Sequence, residues 1–148
     1  MLDEFIENTE GISAQILSFD EEVATCKQAQ ALEKTIPIVK TIVLTHTEGH
    51  LLAILLSNDK VDYGAIQQLT GKKEVRLATH EEVEPCTGYK VGGVPPISIY
   101  GIPTLLDEKV LSHHWVLAGG GDSFSLLKIQ SNDIRTYGFE VNVARITK

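Results

Sequence analysis

The chain has 148 residues, 43% of them hydrophobic and 22% charged, and its 13 Lys and Arg against 20 Asp and Glu give a net charge of −7. This composition is typical of one globular domain and excludes a disordered chain or a disulfide-stapled miniprotein. The acidic charge argues against a protein that grips duplex DNA, and no apolar run approaches the ~20 residues that span a bilayer. We expect one domain over residues 1–148 that binds neither DNA nor membranes.

The compartment is predicted from the two cysteines and from the beginning of the sequence. Cys26 and Cys86 stand alone, without a CxxC spacing, and are interpreted as reduced thiols. The first residues are acidic, unlike the basic start of a signal peptide. Both features favour a cytoplasmic protein.

The first half of the chain alternates between strand-like and helix-like segments. Runs of β-branched and apolar residues predict strands, and capping residues predict helix ends. Ser18 and Glu21 have the spacing of a capping box, and Pro37 must end the helix that they open. The predicted elements are a strand over 12–19, a helix to about Lys34, strands over 36–45 and 51–57, a helix over 62–70 and a short strand over 75–78.

The second half is richer in strands. Thr79 and Glu82 form a second capping-box pattern, which opens a helix that closes at Gly88. Strands are predicted over 97–100, 104–106, 115–117, 124–129 and 138–143. Early helices and late strands predict an α+β fold in which a mixed, strongly curled sheet approaches a barrel, with short helices outside it.

Lys40 is the first candidate functional residue. Period-two alternation places it on one strand face with Ile38, Ile42 and Leu44. A buried ammonium without a partner is costly, so this side chain must extend to solvent, pair, or line a cavity. The sequence leaves two interpretations open, a lysine that extends to solvent and a positive charge that awaits an anionic ligand such as a phosphate.

Two glycine-rich segments are candidates for backbone-mediated binding. Residues 92–96 read Gly-Gly-Val-Pro-Pro, in which the glycines allow close backbone approach and the prolines stiffen the exit. The triplet at 119–121 could bind an anion through its backbone. Ordinary turns are the alternative for both segments, a tight turn between helix and strand at 92–96, which the pattern alone favours, and a sharp hairpin at 119–121.

Motifs of the common catalytic classes are absent. The sequence has no GxSxG, no P-loop and no GxGxxG that opens a helix. His46 and His50 have a metal-ligand spacing on a helix, but they lie in a turn and lack an obvious third ligand. We therefore expect no metal at these histidines.

The ordered set of segments resembles the YbaK/prolyl-tRNA-synthetase-associated editing family. It consists of the Lys40 strand, the residues Val75-Arg76-Leu77-Ala78-Thr79 with Glu81-Glu82-Val83, the loop at 92–96, the glycine triplet and the strand at 126–129. The resemblance covers nearly the whole chain from Ile12. It implies a trans-editing deacylase that hydrolyses the ester of a mischarged tRNA, commonly alanyl- or cysteinyl-tRNA for proline, without a metal or another cofactor.

The resemblance also implies roles for individual residues. Lys40 would contact the 3′-terminal adenosine, and the loop would hold the ester and the attacking water, with help from a ribose hydroxyl of the substrate. The expected catalytic residues are Lys40, Gly92 and Gly93, and the expected substrate-binding residues are Thr41, Val94, Pro95, Pro96, Gly119, Gly120 and Gly121. The acceptor end of a tRNA is the expected partner, with prolyl-tRNA synthetase as a further candidate.

The sequence leaves open which amino acid is removed and whether the chain has one of two other functions. Some cysteine-clearing relatives have a serine just before the glycines, where this chain has Leu117-Ala118, and this favours alanine as the amino acid removed. The chain could also be a tRNA-end or nucleotide-binding module without turnover. A hydrolase with a metal at His46 and His50 is a weaker third interpretation.

Overall fold

The fold is described from a computed structural model, which covers residues 1–23, 25, 28–30 and 35–148. Within that part of the chain, no helix has the length and apolar character needed to cross a membrane. The helices are α1 (Leu2–Glu7), α2 (Tyr63–Thr70), α3 (His80–Thr87) and α4 (Ser131–Tyr137), with a 3₁₀ helix at Glu108–Ser112. The strands are β1 (Ala14–Ser18), β2 (Val39–His46), β3 (Gly49–Leu56), β4 (Arg76–Leu77), β5 (Thr104–Asp107), β6 (Trp115–Gly119), β7 (Ser125–Gln130) and β8 (Val141–Ala144).

These strands form two open sheets. The larger sheet has the order β4-β2-β3-β5-β8 and is mixed, because β4, β2 and β3 are antiparallel whereas β5 is parallel to both β3 and β8. The smaller sheet is antiparallel, with the order β1-β7-β6. A parallel bridge between Ile38 and Leu117 joins their edges, and Leu117 N–H donates to the Pro37 carbonyl over 2.9 Å.

The α+β class and the mixed strand directions are confirmed, but the expected single sheet that approaches a barrel is not. Strand patterns in the sequence show where strands lie and do not show which strands pair. β1 pairs with β7 and not with β2, so the described strands divide into two sheets and neither closes.

The hydrophobic core lies on both faces of the β2–β3 hairpin. Val43 and Ile54 pack in one cluster with Leu127 of the smaller sheet. Leu55, on the other face, packs in a second cluster with Ile66 of α2. An almost continuous apolar run is expected where both faces of a strand are covered, and β3 fits that prediction.

The helices with clear end signals lie where the sequence predicted them. Asp62 accepts a hydrogen bond from Ala65 N–H at the start of α2, and Gly71 ends it with a φ of 72°. Thr79 and Glu82 form the predicted capping box of α3, and Gly88 ends that helix with a φ of 81°. These ends could be predicted because each depends on a few neighbouring residues.

The helix predicted to start at the Ser18–Glu21 capping box does not start there. Ser18 is the last residue of β1, and Phe19 N–H continues the pairing by donating to Phe124 over 2.9 Å. The reciprocal bonds of a capping box join Thr25 and Gln28, at 3.1 Å each, and residues 28–30 are helical. The predicted end near Lys34 lies outside the described residues, as does Cys26.

The strand predicted over 97–100 is absent. Ile97 and Ile99 are buried as the alternation suggested, but Ser98 between them has a φ of 72°, which no strand residue adopts. The Ser98 hydroxyl lies 2.8 Å from the Tyr89 hydroxyl. The segment is therefore an irregular connection with two buried isoleucines.

Asp107 fixes the last residues of the chain against β5. It is fully buried, and its carboxylate accepts bonds from Ile146 N–H at 3.0 Å and from the Thr147 hydroxyl at 3.3 Å. We expect Asp107→Ala to lower the free energy of unfolding by about 2–3 kcal/mol, since it leaves these buried donors without an acceptor. Urea denaturation measures the change, with exposed Asp3→Ala as the control, and a loss below about 0.5 kcal/mol would contradict the prediction.

Candidate active site

A cleft of about 190 Å³ lies where the two sheets meet. One wall is the first half of β2, including Lys40 and Thr41, and the opposite wall is the loop at residues 91–94. Gly119 at the end of β6 lines the cleft between them. The structure thus brings together three segments that the sequence singled out separately.

Lys40 supplies the positive charge of the cleft. It lies opposite Leu55 in the β2–β3 ladder and is partly exposed. Among the described residues no carboxylate forms an ion pair with it. A lysine that lines a cleft and whose ammonium group has no such partner is available to an anionic or electron-rich ligand.

Thr41 contributes a hydroxyl without a hydrogen-bond partner. Its Oγ1 is buried, and it bonds to no other group in the described structure. A buried hydroxyl left unsatisfied costs roughly 1–3 kcal/mol, so such groups are uncommon unless a ligand or water completes them. Since Thr41 lines the cleft, a bound substrate can supply the missing partner.

The loop at 91–94 brings main-chain groups to the edge of the cleft. Gly92 and Val94 both line it, and the N–H of neither residue donates to another described group. Gly93 differs, because its N–H donates to the Lys90 carbonyl at 3.0 Å and its carbonyl accepts from Gly121 N–H at 2.9 Å. Gly93 therefore joins the two glycine-rich segments, whereas its neighbours are free to bind a ligand.

The glycines let these segments approach each other more closely than side chains would allow. A Cβ on Gly119 would overlap the Val94 carbonyl oxygen, and one on Gly93 would lie 2.8 Å from the Asp122 nitrogen. A Cβ on Gly120 would lie 2.5 Å from the Ser125 carbonyl carbon. Backbone-to-backbone contact of this kind fixes the loop against the end of β6.

Five of the ten expected site residues line this cleft: Lys40, Thr41, Gly92, Val94 and Gly119. Gly93 and Gly121 line a neighbouring cleft on the other side of the loop, and Gly120 lines a third one. Pro95 and Pro96 are buried beneath the loop. The five expected site residues that do not line the first cleft are therefore placed where they can support the loop, and their positions indicate no direct contact with a ligand in that cleft.

The sequence did not predict the apolar end of the cleft. It is formed by side chains that are almost fully buried and that come from distant parts of the chain: Val23, Ala29, Ile38, Ala118 and Leu126. Thr25 lies beside them. The Thr25–Gln28 capping-box spacing is the one local signal that could have indicated this wall.

The histidines considered as metal ligands lie away from this cleft, at the tip of the β2–β3 hairpin. His46 pairs with Gly49 and His50 with Thr45, and Glu48 N–H donates to His46 Nδ1 over 3.1 Å. Burial, helped by the positive charge of Lys72, lowers the pKa of His46. Within the described ranges, no three His, Cys, Asp or Glu side chains are grouped as metal ligands.

Comparisons with known proteins were made for both sequence and structure. The family model of the aminoacyl-tRNA editing domain matches residues 20–137. A curated relative from Enterococcus faecalis, EbsC, named as a candidate Cys-tRNA(Pro)/Cys-tRNA(Cys) deacylase, is 28% identical over 86 residues. That match spans 57% of this chain and 52% of EbsC, so the chain matches about half the length of this relative.

Two solved structures share the fold over most of both chains. The crystal structure of a hypothetical protein has a TM-score of 0.88 and 28% identity, and covers 99% of either chain. The structure of a candidate trans-editing enzyme for prolyl-tRNA synthetase has a TM-score of 0.82 and 28% identity, over 91% of this chain and 87% of its own. The arrangement of the two sheets is therefore shared with these proteins.

Proposed function

Since this chain belongs to the aminoacyl-tRNA editing domain family, we propose that it is a trans-editing deacylase that hydrolyses the ester of a mischarged tRNA. The observation that carries the proposal is that Lys40, Gly92 and Val94 line one small cleft, while the Lys40 ammonium has no carboxylate partner and the two N–H groups have no acceptor among the described residues. The acceptor end of tRNA is the partner, and prolyl-tRNA synthetase is a candidate second partner.

Hydrolysis of an aminoacyl ester does not require a nucleophilic side chain in the cleft. An aminoacyl ester is already reactive, so water can attack its carbonyl carbon once the two are held in line. The carbonyl oxygen gains negative charge in the tetrahedral intermediate, and the N–H groups of Gly92 and Val94 stabilise that charge. The C–O bond then breaks, and the terminal ribose oxygen takes up the proton that the attacking water has lost and leaves as a hydroxyl group.

Lys40 and Thr41 hold the nucleotide side of the substrate in this scheme. The Lys40 ammonium contacts the phosphate or ribose of the terminal adenosine, and the Thr41 hydroxyl gains the hydrogen-bond partner that it otherwise lacks. No metal is assigned to any step, and a ribose hydroxyl of the substrate orients the water. These roles are supported by the position of both residues in the cleft.

The amino acid is placed against the apolar end of the cleft. The side chains that form this end carry no charge, and they accept a small, uncharged amino-acid side chain without burying a polar group that lacks a partner. Ala118 lies at this end, without a hydroxyl that could bind a polar side chain. We therefore place alanyl-tRNA for proline first and cysteinyl-tRNA second.

The deciding experiment is a hydrolysis assay with alanyl-, cysteinyl- and prolyl-tRNA, run in parallel with and without a chelator. We expect faster loss of the alanyl ester than in the control without enzyme, and prolyl-tRNA left intact. Stability of all three esters would overturn the proposal, and loss of activity in the chelator alone would overturn its metal-free form.

One observation favours a second candidate, a module that binds the tRNA end without turnover. Among the described residues that line the cleft, the polar side chains are those of Lys40, Thr41 and Thr25, and none is an acid, histidine or cysteine. Such a site suits binding as well as positioning. Equilibrium binding of alanyl-tRNA with no loss of ester over hours would establish this candidate in place of the deacylase.

The Thr41 hydroxyl gives a sharper test of the cleft. We expect Thr41→Val to lower kcat/KM by roughly 3- to 10-fold, the value of one hydrogen bond, without lowering the free energy of unfolding. Thr104→Val is the matched control, because Thr104 also has a buried hydroxyl without a partner but lies in β5, away from the cleft. Equal activity losses in the two variants would contradict a role for Thr41.

A further inference from the structure

An aromatic and cationic cluster lies on the smaller sheet, outside the cleft. Trp115, the single tryptophan of the chain, is partly exposed at the start of β6. Lys128 Nζ lies 5.2 Å from the centre of its ring, and the exposed His114 ring lies edge-on to it at 5.6 Å. Among the described residues Lys128 has no carboxylate partner.

Among the residues of β1, β6 and β7 that the structure describes on this sheet face, none is acidic. Alternation along the paired strands places Gln15, Gln130 and Leu126 on the same face as Trp115 and Lys128. The chain as a whole has a net charge of −7, so a surface with an aromatic ring, two amides and a lysine without a described carboxylate partner differs from its overall acidic character. This combination suits a nucleic acid strand, whose bases stack on aromatic rings and whose phosphates bind ammonium groups.

The same face leads to the cleft. Gly119 and Leu126 line the cleft, and they lie on the strands that carry Trp115 and Lys128. Trp115 is four residues from Gly119, or about 13 Å along a strand. That distance corresponds to about four stacked nucleotides at ~3.4 Å each. Leu117 between them is fully buried, so the two sites are separate contact points and not one groove.

We propose that Trp115 and Lys128 form a second binding point for the unpaired 3′ strand of the RNA substrate. With the terminal adenosine in the cleft, a base upstream of it stacks on the exposed part of Trp115, and Lys128 contacts the adjoining phosphate. This inference rests on the proposed function for the identity of the RNA. It adds a contact that distinguishes a full acceptor strand from its last nucleoside.

The single tryptophan makes the first test direct, because stacking of a base changes its fluorescence. Titration with an RNA hairpin that carries no amino acid and ends in four unpaired 3′ nucleotides should quench the tryptophan emission, whereas the same hairpin with a blunt end should not. Lys128→Gln should weaken binding severalfold and flatten its salt dependence. Exposed Lys73→Gln removes the same charge elsewhere and should have no such effect. Binding of the hairpin without any change in emission would overturn the proposal.

The second test separates this contact from the cleft. Trp115→Ala should lower kcat/KM for alanyl-tRNA at least about tenfold more than for alanyl-adenosine, which reaches the cleft alone. Trp115→Phe keeps an aromatic ring and should restore most of the loss, which guards against a merely structural effect. Equal losses on both substrates would overturn the proposal. If neither ester is hydrolysed, the proposed function fails, and the fluorescence titration still decides the RNA contact.

Discussion

Replacing Lys40 with alanine is expected to lower kcat/KM for alanyl-tRNA by roughly 10²- to 10³-fold, the cost typical of removing one well-placed charged or donor group from an active site. The loss follows from geometry, since Lys40 supplies the ammonium group of the described cleft and pairs with no described carboxylate. Single-turnover ester hydrolysis measures the change. Because this side chain is partly exposed and forms no ion pair, the melting temperature should stay within a few degrees of the parent.

Two variants sharpen the test of Lys40. Lys73→Ala removes an exposed lysine far from the cleft and should retain full activity. Lys40→Arg keeps the charge but replaces a compact ammonium with a planar guanidinium, and we expect it to restore only part of the activity. Full activity in a folded Lys40→Ala protein would remove this residue from the mechanism.

Gly119→Ala is expected to produce the second large effect. The new Cβ would overlap the Val94 carbonyl oxygen and lie 2.7 Å from its carbonyl carbon, so the loop has to move away from β6. A displacement of about 1 Å at a catalytic group can cost about 10²-fold in rate, and we expect a loss of that order in kcat/KM. The same overlap should cost about 1–3 kcal/mol in the free energy of unfolding.

The matched control for this variant is Gly64→Ala. Gly64 lies in α2, where a Cβ would meet only an Asp62 oxygen at 3.5 Å, an ordinary contact. Alanine is the better helix former, so stability should stay equal or rise by up to about 1 kcal/mol with activity unchanged. Parent-like activity in Gly119→Ala would show that the fixed position of the loop is unimportant.

The structural features predicted correctly from the sequence are those that depend on residues close together in the chain. The ends of α2 and α3 follow from Asp62, Thr79 and the glycines after them, and β2 and β3 from their apolar content. α4 was missed because Ser131–Tyr137 is poor in strong helix formers and is held instead by packing, with Ile134 fully buried. The pairing of β1 with β7, more than 100 residues away, leaves no local signal at all.

The same distinction between local and long-range signals separates the parts of the candidate site that the sequence predicted from those that it did not. Lys40 could be found because a lysine is unusual among the apolar residues of its strand face, and the loop because adjacent glycines allow close backbone approach. The apolar end could not, since Val23, Ala29 and Leu126 are ordinary core residues until the fold brings them to one cleft. Gly93 N–H and C=O form hydrogen bonds, whereas the N–H groups of Gly92 and Val94 have no acceptor among the described residues, and this difference is visible only in the folded structure.

Main-chain groups form one wall of the cleft, and this affects how the site can change during evolution. Exchange of the Val91 or Val94 side chain leaves the N–H groups in place, so random substitution there rarely deletes the donors. The apolar end of the cleft is made of side chains, each of which one codon change can enlarge, shrink or make polar. Descendants of such a protein can therefore change which ligand they accept through positions 23, 29, 118 and 126 while inheriting the same main-chain groups.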